Sequence, residues 1–423
     1  MSCRFDRRKC LVAMAVSFLP VIACLPARAE DWPRWRGPRQ DGISQETELL
    51  KEWPNGGPRQ LWKAQLSGGF SSVVVADGRV FTQTKEKNEE IVVCLEAATG
   101  KELWRYRYDC DYAAHPTFTG GGMPASRTGP RATPAVDGDR VYTLGATGIL
   151  LCLEVKTGKK IWQQDLLKIA GRDCPTHGYC GSPLVVADRI YLELGGSDTQ
   201  AVAALDKRNG SVVWKALDDS LGQGSPVWAE VRGVPQVIFF TGKGAVGVAP
   251  RDGKLLWRYP WTTRFDLNIA TPIFADGKVF ISSNYGTGGA VFRLTDEGEP
   301  QTLWKSLAMQ NHMSTSVLYQ GSLYGFSENR LRCVDFETGK VQWDKSGLGK
   351  GSLVVADGHL IILGDHGELV LAKPNLTEYT EVSRCQLFDK GTLTWIAPVV
   401  SDGRLFIRSE NALLALNLRK ETN

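Results

Sequence analysis

The chain has 423 residues, with 50 Lys and Arg against 46 Asp and Glu, 43% apolar residues and 10 cysteines. Residues 1–29 hold five of the basic residues (Arg4, Arg7, Arg8, Lys9 and Arg28) and one acid, Asp6, so residues 30–423 carry 45 of each sign and are formally neutral. A neutral chain offers no basic field for nucleic acid or anionic lipid, and roughly 390 residues (423 less 29) suit two or three ordinary domains on length alone.

Four basic residues precede an apolar run from Cys10 to Leu25 that ends in Ala27-Arg28-Ala29, the pattern of a secretory signal peptide over residues 1–29. The run is shorter than the ~20 residues of a membrane-spanning helix, and no later stretch qualifies, so no transmembrane segment is expected. Cleavage after Ala29 is the expected processing. Val21-Ile22-Ala23-Cys24 also reads as a lipobox, which would leave Cys24 as an acylated first residue. Either route predicts a periplasmic or extracellular protein.

An extension over residues 30–57 leads into internal repeats, which overrule the domain count from length. A hairpin phrase, Ser72-Val73-Val74-Val75-Ala76-Asp77-Gly78-Arg79-Val80-Phe81, recurs from near Thr133, Ser182, Ser225, Thr271, Thr315, Ser352 and Ala397. Asp-Gly at 77, 137, 276, 357 and 402 supplies the positive φ that a two-residue hairpin turn demands. A second phrase runs from Leu95 through Thr99-Gly100-Lys101 to Trp104, and again to Trp162, Trp214, Trp257, Trp304 (with one extra residue) and Trp343. In it Gly100, Gly158, Gly210, Gly253 and Gly339 turn a third strand into a fourth.

Four short antiparallel strands per unit make a propeller blade, and a Trp that removes ~150–250 Å² from water wedges neighbouring blades together. The predicted fold is therefore an all-β, eight-bladed propeller over residues 58–418, followed by a tail at 419–423. The seventh unit has lost its Trp in the stretch from Ala372 to Arg384, and the eighth ends at Asn417-Leu418 without a fourth strand. Pro58-Arg59-Gln60-Leu61-Trp62-Lys63 supplies the missing strand, closing the ring and covering two open sheet edges.

Seven cysteines follow residue 29, and Cys94, Cys152 and Cys333 share one third-strand position, which predicts buried, inert thiols. Cys174 and Cys180 flank His177, and in an exported protein a local disulfide between them is the expectation. A metal site with Cys110 or His115, or pairing of Cys110 with one of the two, are the alternatives. His359 and His366 fall at the hairpin of the seventh blade and read as surface residues.

The Trp-ended phrase resembles the repeats of the PQQ-like propeller superfamily, with its approximate pattern Ala-x-Asp-x-x-Thr-Gly-x-x-x-Trp, and the likeness spans residues 58–418. The resemblance implies one of two roles: a quinoprotein dehydrogenase holding PQQ with calcium, or a non-catalytic scaffold like the propeller lipoprotein of the outer-membrane β-barrel assembly machinery. Such dehydrogenases carry adjacent cysteines and a Glu, Asn and Asp about the calcium; this sequence has no Cys-Cys pair, no Cys-x-x-Cys-His for haem, no Gly-x-Ser-x-Gly and no His-Glu-x-x-His. No motif supports PQQ, and the cofactor is undetermined. Asp31-Trp32-Pro33-Arg34-Trp35-Arg36-Gly37-Pro38 is similar to the opening of many secreted PQQ-like repeat proteins, and Trp32 and Trp35 are expected to pack the extension on the outside of the ring.

Propellers bind where the loops ahead of the innermost strands converge. The candidate ring is Phe70, Arg131, His177, Tyr179, Gln223, Asn268, Asn311, His312, Lys350 and Trp395, with His115 from one of two long loops (105–132 and 163–181). Tyr106, Tyr108, Tyr112, His115, Phe118 and Gly120-Gly121-Gly122 in the first of these loops read either as an aromatic lid or as self-packed filler. A mixed aromatic, amide and basic ring suits a polar ligand or a peptide; the same residues equally suit strand caps or a wet channel lining. The expected function is a monomeric, non-catalytic scaffold for a protein or peptide. The rival is a quinone- or metal-dependent oxidoreductase, or a small-molecule sensor, using the channel mouth.

Overall fold

The structure is a computed structural model that describes Met1 and residues 30–110, 112, 129–196 and 198–420. The signal segment with Cys24, and also His115 and Phe118, lie outside the described residues. No described helix is long and apolar enough to cross a membrane.

Alternation of apolar and polar residues around the predicted turns produces eight antiparallel sheets. Blades one to seven occupy residues 74–109, 135–165, 184–216, 227–260, 273–306, 317–345 and 352–386, and blade eight joins 399–417 to Gln60–Gln65. Asp77, Asp276, Asp357 and Asp402 adopt positive φ in their hairpin turns, as the sequence predicts. Blade two departs by one residue: Asp137 pairs with Arg140 in the ladder, and Gly138 and Asp139 make the turn. The loop after blade two also departs, because Leu166–Ala170 forms a short helix capped by Asp165, whose carboxylate accepts from Leu167 N (3.0 Å) and Lys168 N (3.2 Å).

Ring closure follows the predicted strand. Gln60 pairs with Leu416 and Trp62 with Ala415, so the first blade-forming strand completes the last sheet. In the fourth strands of blades one, two, three, five and six the Trp is the one buried residue, as Trp104 is in Glu102–Asp109.

Each of Trp62, Trp104, Trp162, Trp214 and Trp304 docks on the next blade in two ways. Its ring lies where a Cβ on the turn glycine would sit, 2.6 Å from such an atom at Gly100 for Trp62 and 2.5 Å at Gly158 for Trp104. Its indole N–H donates to a carbonyl of the same turn: Trp62 to Ala97 (3.0 Å), Trp104 to Val155 (2.9 Å), Trp214 to Pro250 (2.9 Å) and Trp304 to Phe336 (2.8 Å). Glycine is required at these turns twice over, for φ near +70° and for contact with the ring. Trp257 and Trp343 are exceptions: the turn of blade five is one residue longer, and the Trp257 N–H bonds Gln236 Oε1 of its own blade (2.6 Å), while Trp343 donates to Asn375 O (2.6 Å) in a blade-seven turn without glycine.

In the seventh blade Ser383 stands at the Trp register, opposite Leu371. The extension makes good the loss. Trp53 donates its backbone N–H to Ser383 Oγ (2.9 Å) and is buried in the same apolar cluster as Leu371, Cys385, Leu405 and Phe406.

Trp32 and Trp35 do not pack outside the ring. Glu30 O accepts from Ser401 Oγ in blade eight (2.7 Å), and Trp32 exchanges backbone bonds with Val75 in blade one (2.8 and 2.9 Å). Pro33 O accepts from Val136 N in blade two (2.7 Å), and Arg34 reaches Val185 O in blade three (3.1 Å). Gln40 bonds Pro226 O in blade four (3.2 Å), and Trp35 Nε1 donates to Thr271 Oγ1 at blade five (2.8 Å). Gly42 abuts Val317 of blade six, and Ile43–Ser44 pair in parallel with Val355 and Ala356 of blade seven. Fifteen residues that meet the innermost strand of every blade lie on the ring axis, and residues 30–44 therefore plug the channel. Buried Arg36 ties the plug's turn, donating to Gln40 O (3.0 Å) and Asp41 O (2.8 Å).

Candidate functional site

A plugged channel is a cup. The loops ahead of the innermost strands enclose about 350 Å³, and Trp35 forms the floor, lining both this space and a void of about 30 Å³ beside Trp32 and Arg36. Of the candidate ring, Phe70, Arg131, His177, Gln223, His312, Lys350 and Trp395 line the cup.

Three candidates do not. Tyr179 is 2% exposed, with its hydroxyl on Leu194 O (3.0 Å) and its ring under Gly148. Asn268 and Asn311 are turned into the wall, where their amides bond Thr241 O (2.7 Å) and Phe326 O (3.0 Å) and accept from Ser283 (2.7 Å) and Ser316 (3.0 Å). Gln223 faces the cup with a committed amide, accepting from Cys180 N (3.0 Å) and donating to Gly178 O (2.8 Å).

Side chains from the second strands hold the mouth loops. Gln83 donates to Ala132 O (2.9 Å) beside Arg131, and Ser282 Oγ accepts from Asn311 N (2.9 Å) beside His312. Glu193 accepts from Gln223 N (3.0 Å), and burial pushes its carboxyl well above the usual range. Arg408 is fully buried and forms no ion pair among the described residues; it donates to Ser71 O and Thr82 Oγ1 and so fixes the loop that presents Phe70. Burial lowers its pKa to about 9.

Phe70 and Trp395 stack at 5.5 Å and 29° at the junction of blades eight and one. Arg131 (blade two) and Lys350 (blade seven) flank this pair. Opposite lie Leu267 and Ile269 of blade five, with Tyr285 on the rim and Met313 low in the cup, where it also lines the void beside Trp32 and Arg36. No carboxylate lines the cup among the described residues.

The basic groups influence one another. The Lys350 ammonium can only donate, so His312 Nδ1 (3.4 Å) accepts, and Nε2–H donates to Tyr285 Oη (3.0 Å), as in a neutral imidazole. Burial first, then Lys350 and His177, push the His312 pKa from 6.5 down to about 4. His177 is likewise lowered, by burial and then by Arg131. Between pH 6.5 and about 4 the unfolded chain binds a proton that folded His312 refuses, so this contribution to stability is present above that window and lost as pH falls through it. The melting temperature of the wild type is expected to fall more steeply from pH 6.5 to 4 than that of His312→Gln; parallel slopes would refute a depressed pKa.

Cys174 and Cys180 are free thiols here, in place of the expected disulfide. Tyr179 N bonds Ala146 O (2.9 Å) and anchors the loop between them. Cys174 Sγ then turns to Ala146 O (3.7 Å) on the outside, while Cys180 Sγ lines the cup and turns to His177 O (3.6 Å). Cys94, Cys152 and Cys333 are buried as predicted, and no metal-holding group of His, Cys, Asp and Glu occurs among the described residues. Tyr108 leaves the lid reading altogether: it lies in a strand and donates to Glu90 (2.6 Å). Tyr112 is buried against Thr176 O (2.8 Å).

The sequence reading missed Trp35, Tyr285 and a belt of hydroxyls. Thr133 N bonds Ser182 Oγ (2.9 Å), Ser182 N bonds Ser225 Oγ (2.9 Å) and Thr271 N bonds Thr315 Oγ1 (3.0 Å), so each hydroxyl satisfies an inner-strand N–H of the preceding blade. The signal was present: Ser or Thr opens the hairpin phrase at 72, 133, 182, 225, 271, 315 and 352.

The sequence profile of the family described as outer membrane protein assembly factor BamB matches residues 54–126 and 122–345. The chain belongs to this PQQ-like propeller family. An outer membrane protein assembly factor BamB of Moranella endobia is 26% identical over 320 residues, 71% of this chain and 77% of that protein. Among solved PQQ-like propellers, BamB from Moraxella catarrhalis superposes with a TM-score of 0.61 at 14% identity, covering 85% of this chain and 99% of the other. The quinohemoprotein alcohol dehydrogenase of Comamonas testosteroni gives 0.65 at 13%, covering 93% and 81%. The family thus joins scaffolds and dehydrogenases on one fold, and the cup decides how this member is read. Calcium asks for six to eight oxygen ligands, carboxylates among them. The described lining offers hydroxyl and amide oxygens but no carboxylate, and Asn268 and Asn311 are spent in the wall, so the residues present do not fit a calcium-assisted quinone site.

Proposed function

We propose that this PQQ-like propeller is an exported, non-catalytic scaffold that binds a protein or peptide partner at its cup. One observation carries the reading: the lining offers ring faces and cationic donors on clamped loops, and among the described residues no carboxylate to bind calcium or accept a proton. The signal-like N-terminus and the similarity to outer membrane assembly factors support a periplasmic or extracellular setting.

A photo-crosslinking residue at Tyr285, exposed on the rim, tests this. In envelope extract it is expected to give a discrete protein adduct that a control site on an outer strand, such as Ile161, does not. Adducts indistinguishable between the two sites would sink the scaffold reading. The rival oxidoreductase predicts thermal stabilisation by PQQ plus Ca²⁺; the cup geometry predicts no shift.

A further inference from the structure

We infer that the cup captures the C-terminal carboxylate of a partner polypeptide whose last side chain is flat and apolar. This rests on the scaffold reading and narrows it.

The floor sets the first constraint. Residues 30–44 fill the axis and Trp35 closes the cup from below, bonded to Thr271 (2.8 Å), so no chain threads the ring. A polypeptide enters by an end or by a bent loop. About 350 Å³ lies at the small end of ligand pockets. It admits the tip of one chain but not both legs of a loop, whose backbones run ~4.8 Å apart even when paired.

Charge chooses the end. Lys350 and Arg131 reach the cup from opposite sides of the Phe70–Trp395 pair, and no described lining residue is an acid. An α-ammonium is repelled there, whereas a carboxylate gains charge-assisted hydrogen bonds, which Arg forms with particular directionality. Arg131 is braced from behind, its Nη1 donating to His177 O (3.2 Å), and Lys350 is set by its own backbone N–H on Asp365 (2.8 Å). His312 seats the Lys350 ammonium through Nδ1 (3.4 Å) without adding a charge of its own. Ser182, Ser225 and Thr315 each accept a backbone N–H, which orients their oxygens and leaves their O–H groups as further donors low in the cup.

The remaining surface selects the side chain. The Phe70 and Trp395 rings present a flat edge between the two cations, and Leu267 and Ile269 face them. An aromatic terminal residue places its carboxylate at Lys350 and Arg131 and its ring against these surfaces.

Fluorescence polarisation on the mature chain provides the test. The probes are a fluorescein-labelled Gly-Ser-Gly-Ser-Ala-Phe peptide with a free carboxylate, its C-terminal amide, and an amide with an internal Asp; benzoate is the competitor. The free acid is expected to bind about tenfold or more tighter than either amide, the scale of a charged hydrogen bond. Lys350→Met is expected to lose most of that ratio at an unchanged melting temperature. Equal binding of acid and amide overturns the inference, as does an Asp amide that matches the acid, or benzoate binding without peptide binding. A Tyr285 adduct without acid-over-amide preference overturns carboxylate capture and leaves the scaffold reading standing. Acid preference without an adduct does the reverse.

Discussion

Trp62→Ala is expected to cost the folded state about 3–5 kcal/mol, the range for removing a large buried aromatic. Trp62 is 8% exposed and lies at the one junction where the two ends of the chain meet. The substitution removes the ring from Gly100, the 3.0 Å bond to Ala97 O and the tilted contact with Phe406 at 5.9 Å. It leaves Ala97 O buried without its indole partner. For a chain of this size the loss corresponds to a melting temperature lower by about 5 °C. Hydrogen exchange is expected to rise first in Gln60–Gln65 and Ala412–Asn417, because these strands lose the wedge that holds blade eight to blade one. A uniform rise over all blades, or none, would show that the closing strand is held by something else.

Arg258→Ala is expected to have a comparable effect by a different route. Asp219 is 1% exposed and lies in the loop leading to Gln223. Its carboxylate accepts from Arg258 Nη1 (2.7 Å) and Nη2 (3.0 Å) and from Thr241 Oγ1 (2.5 Å). Removing one partner of a buried pair strands the other charge, which costs about 3–5 kcal/mol. Asp219→Asn in the same background removes the stranded charge, so the double variant is expected to recover part of the loss. Chemical denaturation of the two single variants and the double variant checks this. Additive losses would mean that the two groups do not act as a pair.

Both sites show why part of the fold was readable and part was not. A docking Trp, its turn glycine and the hairpin ahead of it fall within short windows, so the physics that stacks one blade on the next repeats in the chain as a phrase. Even the ring closure was legible, because a blade lacking a fourth strand and a stray strand ending in Trp62 have one economical solution. The mouth ring was half legible. Spacing placed Phe70, Arg131, His312, Lys350 and Trp395 at the cup, yet it placed Tyr179, Asn268 and Asn311 there too. A residue ahead of a strand faces the axis or the wall according to a rotation of the loop, and the buried carbonyls of Leu194, Thr241 and Phe326 decide that rotation.

The sequence alone determined the number of blades, the place of the hairpins save that of blade two, which lies one residue further on, the burial of Cys94, Cys152 and Cys333 and the neutral charge of the chain beyond residue 29. The tertiary structure alone decided that residues 30–44 plug the channel, that Trp53 fills the junction where Ser383 replaces a Trp, and that Cys174 and Cys180 face different surroundings. The reason is range. Repeats are written in contacts between neighbouring blades, whereas the plug is held by groups scattered from Val75 to Ser401, which only the closed ring brings to one axis.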